Sequence, residues 1–290
     1  MSKTWFITGA SRGLGVAIAK AALAAGDRVA AAGRKRAAVN ASLGPDSDQL
    51  LALELDVTNA TQIQAAVDAT VARFKSIDVL VNNAGYGHLG FFEETTQEDV
   101  QAQFATNVFG AFDVTRAVLP VMRAARKGLI FNISSLAGIV GGELGSLYCA
   151  SKFALAGFSE SLAKEVAPFG LFVTIVEPGP FRTDFLAPES LRFGAKTVTD
   201  YDTRRAPARA TFESRNGRQP GDPEKLAAAL VQLAGIAKPP MHFVAGAIAW
   251  NAADAKLANV RADLDTWRQL SLGTDGDYGN SAAPGGSARR

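Results

Sequence analysis

Short apolar runs alternate with longer helical patterns over the first two thirds of the chain. The apolar runs are rich in Val, Ile, Leu and Ala and have no regular polar face, which is typical of strands that helices cover on both sides. The longer segments repeat apolar residues at helical spacing. This alternation predicts an α/β fold with one doubly wound parallel sheet. The predicted strands are residues 3–8, 28–32, 50–55, 79–82, 129–134 and 172–177, and the predicted helices are residues 14–25, 60–74, 97–106, 108–125 and 147–167.

The last third of the chain has a less regular pattern. The order Gly221-Asp222-Pro223-Glu224 predicts a helix with Asp222 as its N-cap and Pro223 in its first turn. Residues 246–270 predict a C-terminal helix with an apolar stripe. We expect a single domain over residues 1–272, followed by a disordered tail over residues 273–290, which are rich in Gly, Ser, Ala and Asp.

Composition and charge narrow the possible classes of function. The 290 residues are 48% hydrophobic and 20% charged, as is ordinary for a globular enzyme. A net charge of +2 predicts no strong attraction to nucleic acid or to a membrane. The single Cys149 excludes an intrachain disulfide and, with only His88 and His242 beside it, no metal site is indicated. No leader precedes the first strand and no apolar run could span a bilayer, so we expect a cytoplasmic protein.

A glycine-rich turn follows the first predicted strand and opens the first predicted helix. Backbone without Cβ atoms can approach a pyrophosphate closely there, and the unpaired N–H groups of a helix N-terminus favour anions. The spacing Gly-x-x-x-Gly-x-Gly differs from the commoner Gly-x-Gly-x-x-Gly fingerprint, and an ordinary tight turn is the alternative. The turn consists of Gly9, Ala10, Ser11, Arg12, Gly13, Leu14 and Gly15.

Tyr148 and Lys152 lie four residues apart on a predicted helix and therefore share one face of it. A free phenol has a pKa of about 10, and a nearby ammonium would favour the phenolate and bring that pKa toward neutrality. The pair could then serve as a general acid and base. Taken alone, the same spacing also fits a partly buried ring beside a solvated amine. Ser135 and Asn107 supply polar groups upstream of the pair.

Taken together, these motifs resemble those of the short-chain dehydrogenase/reductase family, in its shorter, single-domain branch with the Tyr-x-x-x-Lys motif. The resemblance runs from Lys3 to about Gly179 and implies a Rossmann-like fold with catalytic residues Asn107, Ser135, Tyr148 and Lys152. In that family the tyrosine supplies the proton, the serine binds the substrate oxygen and the lysine lowers the tyrosine pKa and binds the nicotinamide ribose. The asparagine helps to hold a water molecule. The matching motifs are Thr8-Gly9-x-x-x-Gly13-x-Gly15, Asn82-Asn83-Ala84-Gly85, Asn107, Ser135, Tyr148-x-x-x-Lys152 and Pro178-Gly179.

The resemblance also implies the cofactor contacts. Gly33 stands where a relative that prefers NAD would carry Asp, and Arg34 offers a guanidinium suited to a 2′-phosphate. Arg12 adds a second cation, so we expect NADP, with NADPH preferred over NADH; a solvated basic turn is the alternative. The further expected contacts are Gly9, Ser11, Gly13, Leu14, Gly15, Asp56, Val57, Asn83, Ala84, Gly85, Tyr148, Lys152, Pro178, Gly179, Phe181 and Thr183.

The expected reaction is hydride transfer between the nicotinamide and a ketone, aldehyde or secondary alcohol, as in a carbonyl reductase or alcohol dehydrogenase. A ketoacyl-thioester reductase is a narrower alternative, and a regulator that binds NADPH without turnover is an alternative of another class. An epimerase or dehydratase of the longer branch would show a different glycine spacing. The family further implies a homodimer or homotetramer that packs residues 108–125 and 147–167 across the interface.

A substrate lid is expected around residues 183–218, where several aromatic residues suggest an apolar or aromatic carbonyl compound. The arginines of this segment could bind an acidic substrate or be solvated. Cys149 is expected to be a small core residue and Ser134 to face away from the catalytic serine. We expect His88 to lie in an exposed loop; a position lining the substrate pocket is the alternative. The lid residues that carry these expectations are Phe185, Leu191, Phe193, Tyr201, Arg204, Arg205, Arg209 and Phe212.

Overall fold

The computed structural model describes residues 2–187, 190–194 and 196–276. Within these residues the chain alternates strands and helices as the apolar pattern predicts. The strands are β1 (Thr4–Ile7), β2 (Arg28–Gly33), β3 (Leu50–Glu54), β4 (Val79–Asn82), β5 (Gly87–Leu89), β6 (Gly128–Ile133), β7 (Leu171–Pro178), β8 (Leu191–Phe193) and β9 (His242–Ala245). The α-helices are α1 (Gly13–Ala24), α2 (Arg36–Leu43), α3 (Ala60–Phe74), α4 (Gln97–Phe104), α5 (Gly110–Ala125), α6 (Ser146–Val166), α7 (Asp202–Ser214), α8 (Pro223–Leu233), α9 (Ala247–Thr266) and α10 (Arg268–Leu272).

A parallel seven-stranded sheet forms the centre of the fold, with strand order β3-β2-β1-β4-β6-β7-β9. The chain winds outward from β1 to β3 and then returns to continue from β4 on the other side of β1. Such a reversal of strand order opens a crevice at the carboxyl ends of the strands. The predicted single-domain, Rossmann-like α/β fold is therefore confirmed.

Two apolar layers cover the sheet. Alternate side chains of β1 point to opposite faces, so that Trp5 joins a cluster with α1 and α8 while Phe6 joins a cluster with α3, α5 and α6. Both side chains are fully buried. Helices thus cover both faces of the sheet, and the apolar residues repeated at helical spacing are the ones that pack against it.

The helical segment between residues 97 and 125 differs from the prediction of two helices separated at Asn107. The chain instead passes from α4 through one π-helical turn, Ala105–Phe109, directly into α5. Thr96 caps the N-terminus of α4 in a reciprocal capping box with Asp99. Asn107 lies inside the π turn and caps neither helix. A π turn adds one residue to a helical turn and turns a side chain aside without ending the helix.

Short elements account for most of what the sequence pattern missed. β5 and β8 have three residues each and pair with one another in a separate two-stranded sheet. Such runs are too short for periodicity to detect. α7 carries three charged residues in its first half and Pro207 inside it, so it has no clear apolar face. α2 and β9 are likewise short.

The C-terminal region contains both predicted helices. Asp222 caps α8 by accepting hydrogen bonds from the backbone N–H groups of Glu224 and Lys225, as expected. The predicted helix over residues 246–270 is present as α9 and α10, with a break at Trp267. Of the tail predicted over residues 273–290, residues 277–290 lie outside the described part of the chain. No helix among the described residues is long and apolar enough to cross a membrane.

A chain of buried polar side chains joins the sheet to the helices. The Asn82 amide donates to Thr115 Oγ1 at 2.9 Å and to Asn132 Oδ1 at 2.8 Å. Asn132 Nδ2 in turn donates to Ser159 Oγ at 2.7 Å. Asn132 is fully buried on β6 and supplies one hydrogen bond to each of its partners. Asn82 also bonds to Thr115, and Ser159 also donates to the Leu155 carbonyl.

We expect Asn132→Ala to lower the free energy of unfolding by roughly 1–3 kcal/mol, because it removes two buried hydrogen bonds that each contribute about 0.5–1.5 kcal/mol. Urea unfolding followed by circular dichroism measures this. Asn251→Ala on the exposed surface of α9 is the matched control, with an expected change within about 0.5 kcal/mol. Equal effects of the two substitutions would contradict the role of the buried chain.

Candidate active site

A single large cleft of about 970 Å³ lies at the carboxyl ends of the sheet strands. Its volume is in the range that holds a cofactor and a small substrate together. Of the residues expected from the sequence to form the site, all line this cleft except Gly15 and Asn107, which pack directly behind its wall. The fold therefore brings together side chains that are far apart in the sequence.

The glycine turn is the tightest part of the cleft wall. Gly9 has a φ of +66°, and a Cβ on it would lie 2.9 Å from the Cα of Ala84. A Cβ on Gly15 would lie 2.4 Å from the carbonyl oxygen of Gly9. Any side chain at either position would force the turn away from α1 or from the loop after β4. The glycines thus keep the turn closed against the N-terminus of α1.

The loop after β4 is tied to this turn by hydrogen bonds. Asn83 Nδ2 donates to the carbonyl oxygens of Thr8 at 2.9 Å and of Gly9 at 3.1 Å. The Thr8 hydroxyl accepts from the backbone N–H groups of Asn83 and Ala84, both at 3.0 Å. The Asn83 side-chain amide therefore joins the loop after β4 to the glycine turn. These hydrogen bonds hold Ala84 and Gly85 in the cleft wall.

The N-terminus of α1 provides an environment for anions. Arg12 is its N-cap residue, and its first turn contains no acidic side chain. Free N–H groups at such an end favour a phosphate. Ser11, Gly13 and Leu14 line the cleft at this point. The residues present fit the pyrophosphate of a dinucleotide.

The end of β2 forms the far wall of the cleft. A Cβ on Gly33 would lie 3.0 Å from Val39 Cγ2 and 3.3 Å from Ser11 Cβ, so the position has little room for a side chain. Arg34 follows at the exposed rim and lines the cleft. Across from them, Asp56 Oδ1 accepts hydrogen bonds from Thr58 N at 2.9 Å and Thr58 Oγ1 at 2.7 Å. Val57 next to Asp56 also lines the cleft.

Three polar side chains meet at the middle of the cleft. Tyr148 and Lys152 lie one turn apart on α6, and the Lys152 Nζ is 5.8 Å from the centre of the Tyr148 ring. The ammonium donates a hydrogen bond to the carbonyl oxygen of Ile133 at 2.7 Å. Ser135, just beyond β6, hydrogen-bonds to the Tyr148 hydroxyl. The hydroxyls of Tyr148 and Ser135 thus face one side of the cleft together.

Asn107 supports this group from behind. Its Oδ1 accepts from the backbone N–H of Tyr86 at 3.1 Å, and its Nδ2 donates to the Tyr86 carbonyl at 3.0 Å and to Ser151 Oγ at 3.2 Å. The Ser151 hydroxyl donates to the carbonyl of Tyr148 at 2.7 Å. The π turn therefore gives Asn107 contact with the Ser151 side chain of α6 and with the backbone of the loop before β5.

Burial shifts the pKa values of the two ionisable groups in opposite directions. Burial raises the pKa of Tyr148 to about 12, and the hydrogen bond from Ser135 offsets only part of the rise. Burial lowers the pKa of Lys152 to about 8. The lowering of the tyrosine pKa expected from Lys152 is therefore not found. Desolvation outweighs the charge, and the ammonium is directed at the Ile133 carbonyl.

Three residues singled out in the sequence lie near Tyr148 and Lys152 without taking part in this group. Ser134 is buried, and its hydroxyl donates to the Lys152 carbonyl at 3.2 Å, away from the Tyr148 hydroxyl. Cys149 is also buried, with its Sγ 4.0 Å from the Val140 carbonyl oxygen. His88 is 2% exposed within β5 and does not line the cleft. The expectation of an exposed loop histidine is therefore wrong, because the pairing of β5 with β8 covers it.

The segment after β7 closes the end of the cleft. Pro178, Gly179, Phe181 and Thr183 all line it. Gly179 N–H donates to the Ala245 carbonyl at 3.0 Å, which fixes the end of β7 to β9. A Cβ on Gly13 would lie 3.5 Å from Thr183 Cβ, so Thr183 sits next to the N-terminus of α1.

The lid arginines singled out in the sequence do not reach the cleft. Arg204, Arg205 and Arg209 pair with Glu143, Glu94 and Glu213, respectively. Arg204 and Arg209 are solvated, with side chains 57% and 58% exposed, whereas Arg205 is largely covered beside the buried Glu94. Because none of the three lines the cleft, they do not act there as ligands for an acidic substrate. Among the apolar and aromatic residues expected in the lid, Phe185 and Phe212 line the cleft, whereas Leu191, Phe193 and Tyr201 do not.

Sequence reasoning missed several residues at the substrate end of the cleft. Tyr86 lines it, and the Arg192 guanidinium lies over the Tyr86 ring at 4.6 Å from its centre. Arg215 and Gln219 line it from the segment after α7. Arg192 reaches the cleft because β8 pairs with β5, and the sequence carried no signal for that pairing.

A family model described as short chain dehydrogenase matches residues 3–192. The chain belongs to the short-chain dehydrogenase family. The matched residues include the glycine turn, the catalytic candidates Asn107, Ser135, Tyr148 and Lys152, and the start of the segment after β7. Together these form most of the cleft and its support. The resemblance inferred from the motifs is confirmed, and the chain is an oxidoreductase of that family.

Similar proteins cover nearly the whole dehydrogenase chain. A short-chain dehydrogenase from Streptomyces avermitilis is 41% identical, with a TM-score of 0.87 over 95% of this chain and 100% of that one. The oxidoreductase BOA17 of Botryotinia fuckeliana is 37% identical over 94% of this chain and 99% of its own. The 3-ketodihydrosphingosine reductase of Bacteroides thetaiotaomicron is 38% identical over 83% of this chain and 86% of its own.

Solved structures of relatives contain both forms of the nicotinamide cofactor. The 3-ketoacyl-(acyl-carrier-protein) reductase from Brucella melitensis, in complex with NADH, is 25% identical with a TM-score of 0.70 over 83% of this chain and 96% of that one. ElxO with NADP bound is 25% identical with a TM-score of 0.69 over 84% and 96%. Relatives of this dehydrogenase thus bind NAD or NADP.

The buried ammonium of Lys152 predicts a characteristic dependence of stability on pH. Below pH 8 the folded and unfolded forms both carry the proton, and burial penalises the folded one. Between pH 8 and about 10.5 the unfolded form holds more protons, so stability rises with pH as this penalty disappears. Lys152→Met should therefore stabilise the protein at pH 7, and this advantage should shrink by ~3 kcal/mol at pH 10.5.

Urea unfolding of the wild type and of Lys152→Met at the two pH values measures this difference. Because Tyr148 is present in both proteins, its own titration cancels in the comparison. An advantage of Lys152→Met that is the same at both pH values would contradict burial as the cause of the lowered pKa.

Proposed function

We propose that this protein is an NADP(H)-dependent reductase of ketones or aldehydes, or in reverse a dehydrogenase of secondary alcohols. The observation that carries the proposal is the pairing of the Tyr148 and Ser135 hydroxyls at the cleft, with the Lys152 ammonium one helical turn away. Two hydroxyl donors directed at one point suit a carbonyl oxygen that gains negative charge.

In the proposed mechanism each polar residue has its own task. Ser135 and Tyr148 hold the substrate oxygen by hydrogen bonds, and Tyr148 passes its proton to that oxygen. Burial keeps the Tyr148 hydroxyl protonated, which is the form that reduction of a carbonyl requires. Lys152 stabilises the phenolate that remains after proton transfer, and Asn107 positions α6 through its contact with Ser151.

The cleft also supports the proposed cofactor site. The closed glycine turn and the N-terminus of α1 would hold the pyrophosphate, and Asp56 and Val57 would lie beside the adenine. Ala84, Gly85, Pro178, Gly179, Phe181 and Thr183 line the wall toward Tyr148, where the nicotinamide end would bind. A bound nicotinamide would supply or accept the hydride.

The preference for NADP rests on the end of β2. Gly33 offers no carboxylate that would repel a 2′-phosphate, and a Cβ there would already be 3.0 Å from Val39 Cγ2. Arg34 at the rim and Arg12 at the helix N-terminus place two guanidinium groups along the same side of the cleft. Guanidinium groups bind phosphate through paired, charge-assisted hydrogen bonds.

The substrate class follows from the other end of the cleft. Tyr86, Val140, Phe185, Leu186 and Phe212 give that end an apolar, aromatic lining. We propose that residues 183–218 act as the lid over an apolar carbonyl compound. A ketoacyl thioester or a related 3-keto lipid is the narrower candidate, because two of the relatives are named as reductases of 3-keto compounds.

The proposal includes a homodimer or homotetramer in the cytoplasm. Phe109, at the start of α5, is 54% exposed, and Phe153 on α6 is 44% exposed. Two exposed aromatic side chains on these neighbouring helices support the family arrangement, in which α5 and α6 pack across the subunit interface.

We expect Tyr148→Phe to lower turnover by about 10²–10⁴-fold, the usual contribution of a general acid, with NADPH affinity within a few-fold of wild type. Steady-state oxidation of NADPH with a reducible carbonyl compound, together with fluorescence titration of NADPH, measures both. Tyr201→Phe is the matched control, because Tyr201 stacks on Phe91 outside the cleft. Unchanged turnover of Tyr148→Phe would contradict the assignment.

Arg34→Asp should lower the preference for NADPH over NADH by about 10–100-fold, because a charge-assisted hydrogen bond contributes roughly 1.5–3 kcal/mol and the new carboxylate repels the 2′-phosphate. The ratio of kcat/KM for the two cofactors measures the change. Lys35→Asp, which makes the same charge change at a residue outside the cleft, should leave the ratio nearly unchanged. An unaltered ratio in Arg34→Asp would assign the phosphate contact to Arg12 instead.

A further inference from the structure

The C-terminal helix α9 extends beyond the domain that carries it. Ala249 and Ala253 in its first two turns are buried against the domain, but every residue from Asp254 to Gly276 is exposed. The exposed part of α9 alone extends about 20 Å at 1.5 Å per residue. A helical segment of this length is only marginally stable in water unless something packs against it.

An apolar stripe runs along this projecting helix. Its members repeat with the a and d spacing of a heptad, which brings them onto one narrow face. The stripe continues the line of the buried Ala253 into solvent, and Leu257 and Leu264 are 66% and 60% exposed. At its two ends Trp250 and Trp267 are each 59% exposed. We define the stripe as Trp250, Ala253, Leu257, Val260, Leu264 and Trp267.

We propose that this stripe pairs with the same stripe of a second copy of the chain, in an antiparallel two-helix coiled coil. In that arrangement Leu257 faces Val260 of the partner subunit, and Trp250 faces Trp267 of the partner subunit. A two-fold axis between Leu257 and Val260 relates the two helices, so Leu264 meets the partner helix where Ala253 of the partner subunit is already packed against its own domain.

The charges beside the stripe favour this antiparallel order. Asp254 and Arg261 flank one side, and Lys256 and Asp263 flank the other. In the antiparallel pair, Asp254 lies near Arg261 of the partner subunit, and Lys256 lies near Asp263 of the partner subunit. The two-fold axis repeats each contact, so all four flanking pairs are attractive.

A parallel pair would be less favourable. It would place Lys256 next to Arg261 of the partner subunit, where like charges repel. Asp263 would still meet Arg268 of the partner subunit, so attraction and repulsion would balance. The charge pattern therefore selects the antiparallel order.

The same charges argue against a membrane as the occupant. Helices that lie on a membrane surface usually carry an excess of Lys and Arg on their polar face. In α9 the acidic residues Asp254, Asp263 and Asp265 outnumber Lys256 and Arg261. A second copy of the chain satisfies both the stripe and its flanking charges.

The first test is the mass of the full-length protein in solution for a variant that carries both Leu257→Glu and Leu264→Glu. Light scattering over a range of concentrations should show that this variant has half the particle mass of the wild type. If the wild type is a tetramer that also uses an α5–α6 interface, the variant should remain a dimer. If the wild type is a dimer, the variant should be a monomer. Ile248→Glu is the control, because Ile248 is 50% exposed on another face of α9 and its change should leave the mass unaltered.

The second test is a charge exchange that addresses helix order. Asp254→Arg alone should raise the dissociation constant of this interface by about tenfold, because two exposed pairs change from attraction to repulsion. Adding Arg261→Asp restores opposite charges in both pairs and should return the constant to near the wild-type value. Failure of the second substitution to rescue would overturn the antiparallel order.

The proposal is overturned if the Leu257→Glu and Leu264→Glu variant keeps the wild-type mass. Sedimentation with vesicles of phosphatidylcholine and phosphatidylglycerol then identifies the other occupant. Binding of the wild type but not of the variant to these vesicles, with no difference in mass, would assign the stripe to a lipid surface. Circular dichroism of the variant excludes unfolding as the cause of any change, since both residues are exposed.

Discussion

The geometry of the active site depends most on the place where one ammonium group is buried. Lys152 is only 6% exposed, and burial lowers its pKa to about 8, so the fold carries a desolvation cost at neutral pH. The carbonyl oxygen of Ile133 at the end of β6 offsets part of this cost by accepting the ammonium hydrogen bond. This hydrogen bond holds the end of β6 against α6. Ser135, just beyond β6, therefore lies next to Tyr148 on α6.

The fold was predictable where local patterns repeat over whole elements. The continuous apolar runs of β1, β4 and β6 and the helical spacing of α3 and α6 indicated a doubly wound sheet, and their bounds in the structure differ from the predicted ones by a residue or two. The pairing of β5 with β8 was not predictable, because each has three residues and the contact joins distant segments. That pairing buries His88 and carries Arg192 to the cleft.

The sequence indicated most residues that line the cofactor and catalytic parts of the cleft, but neither those at its substrate end, such as Tyr86 and Arg192, nor the electrostatics. Spacing indicated that Tyr148 and Lys152 share a helical face, yet it gave no measure of their burial, which decides the direction of both pKa shifts. Asn107 was identified as a site residue, but its π turn was not, since a one-residue insertion leaves no mark on apolar periodicity. The ion pairs of the lid arginines likewise depend on distant carboxylates, such as Glu94 for Arg205.

The most direct measurement of the central claim is oxidation of NADPH by the purified protein, with NADH in parallel, across a panel of ketones, aldehydes, quinones and ketoacyl thioesters. If the protein is an NADP(H)-dependent reductase, we expect turnover of at least one member of the panel, with NADPH preferred over NADH. Tight binding of NADPH with no turnover of any member would contradict it, and would indicate that the Tyr148 and Lys152 site serves a regulator that senses the cofactor.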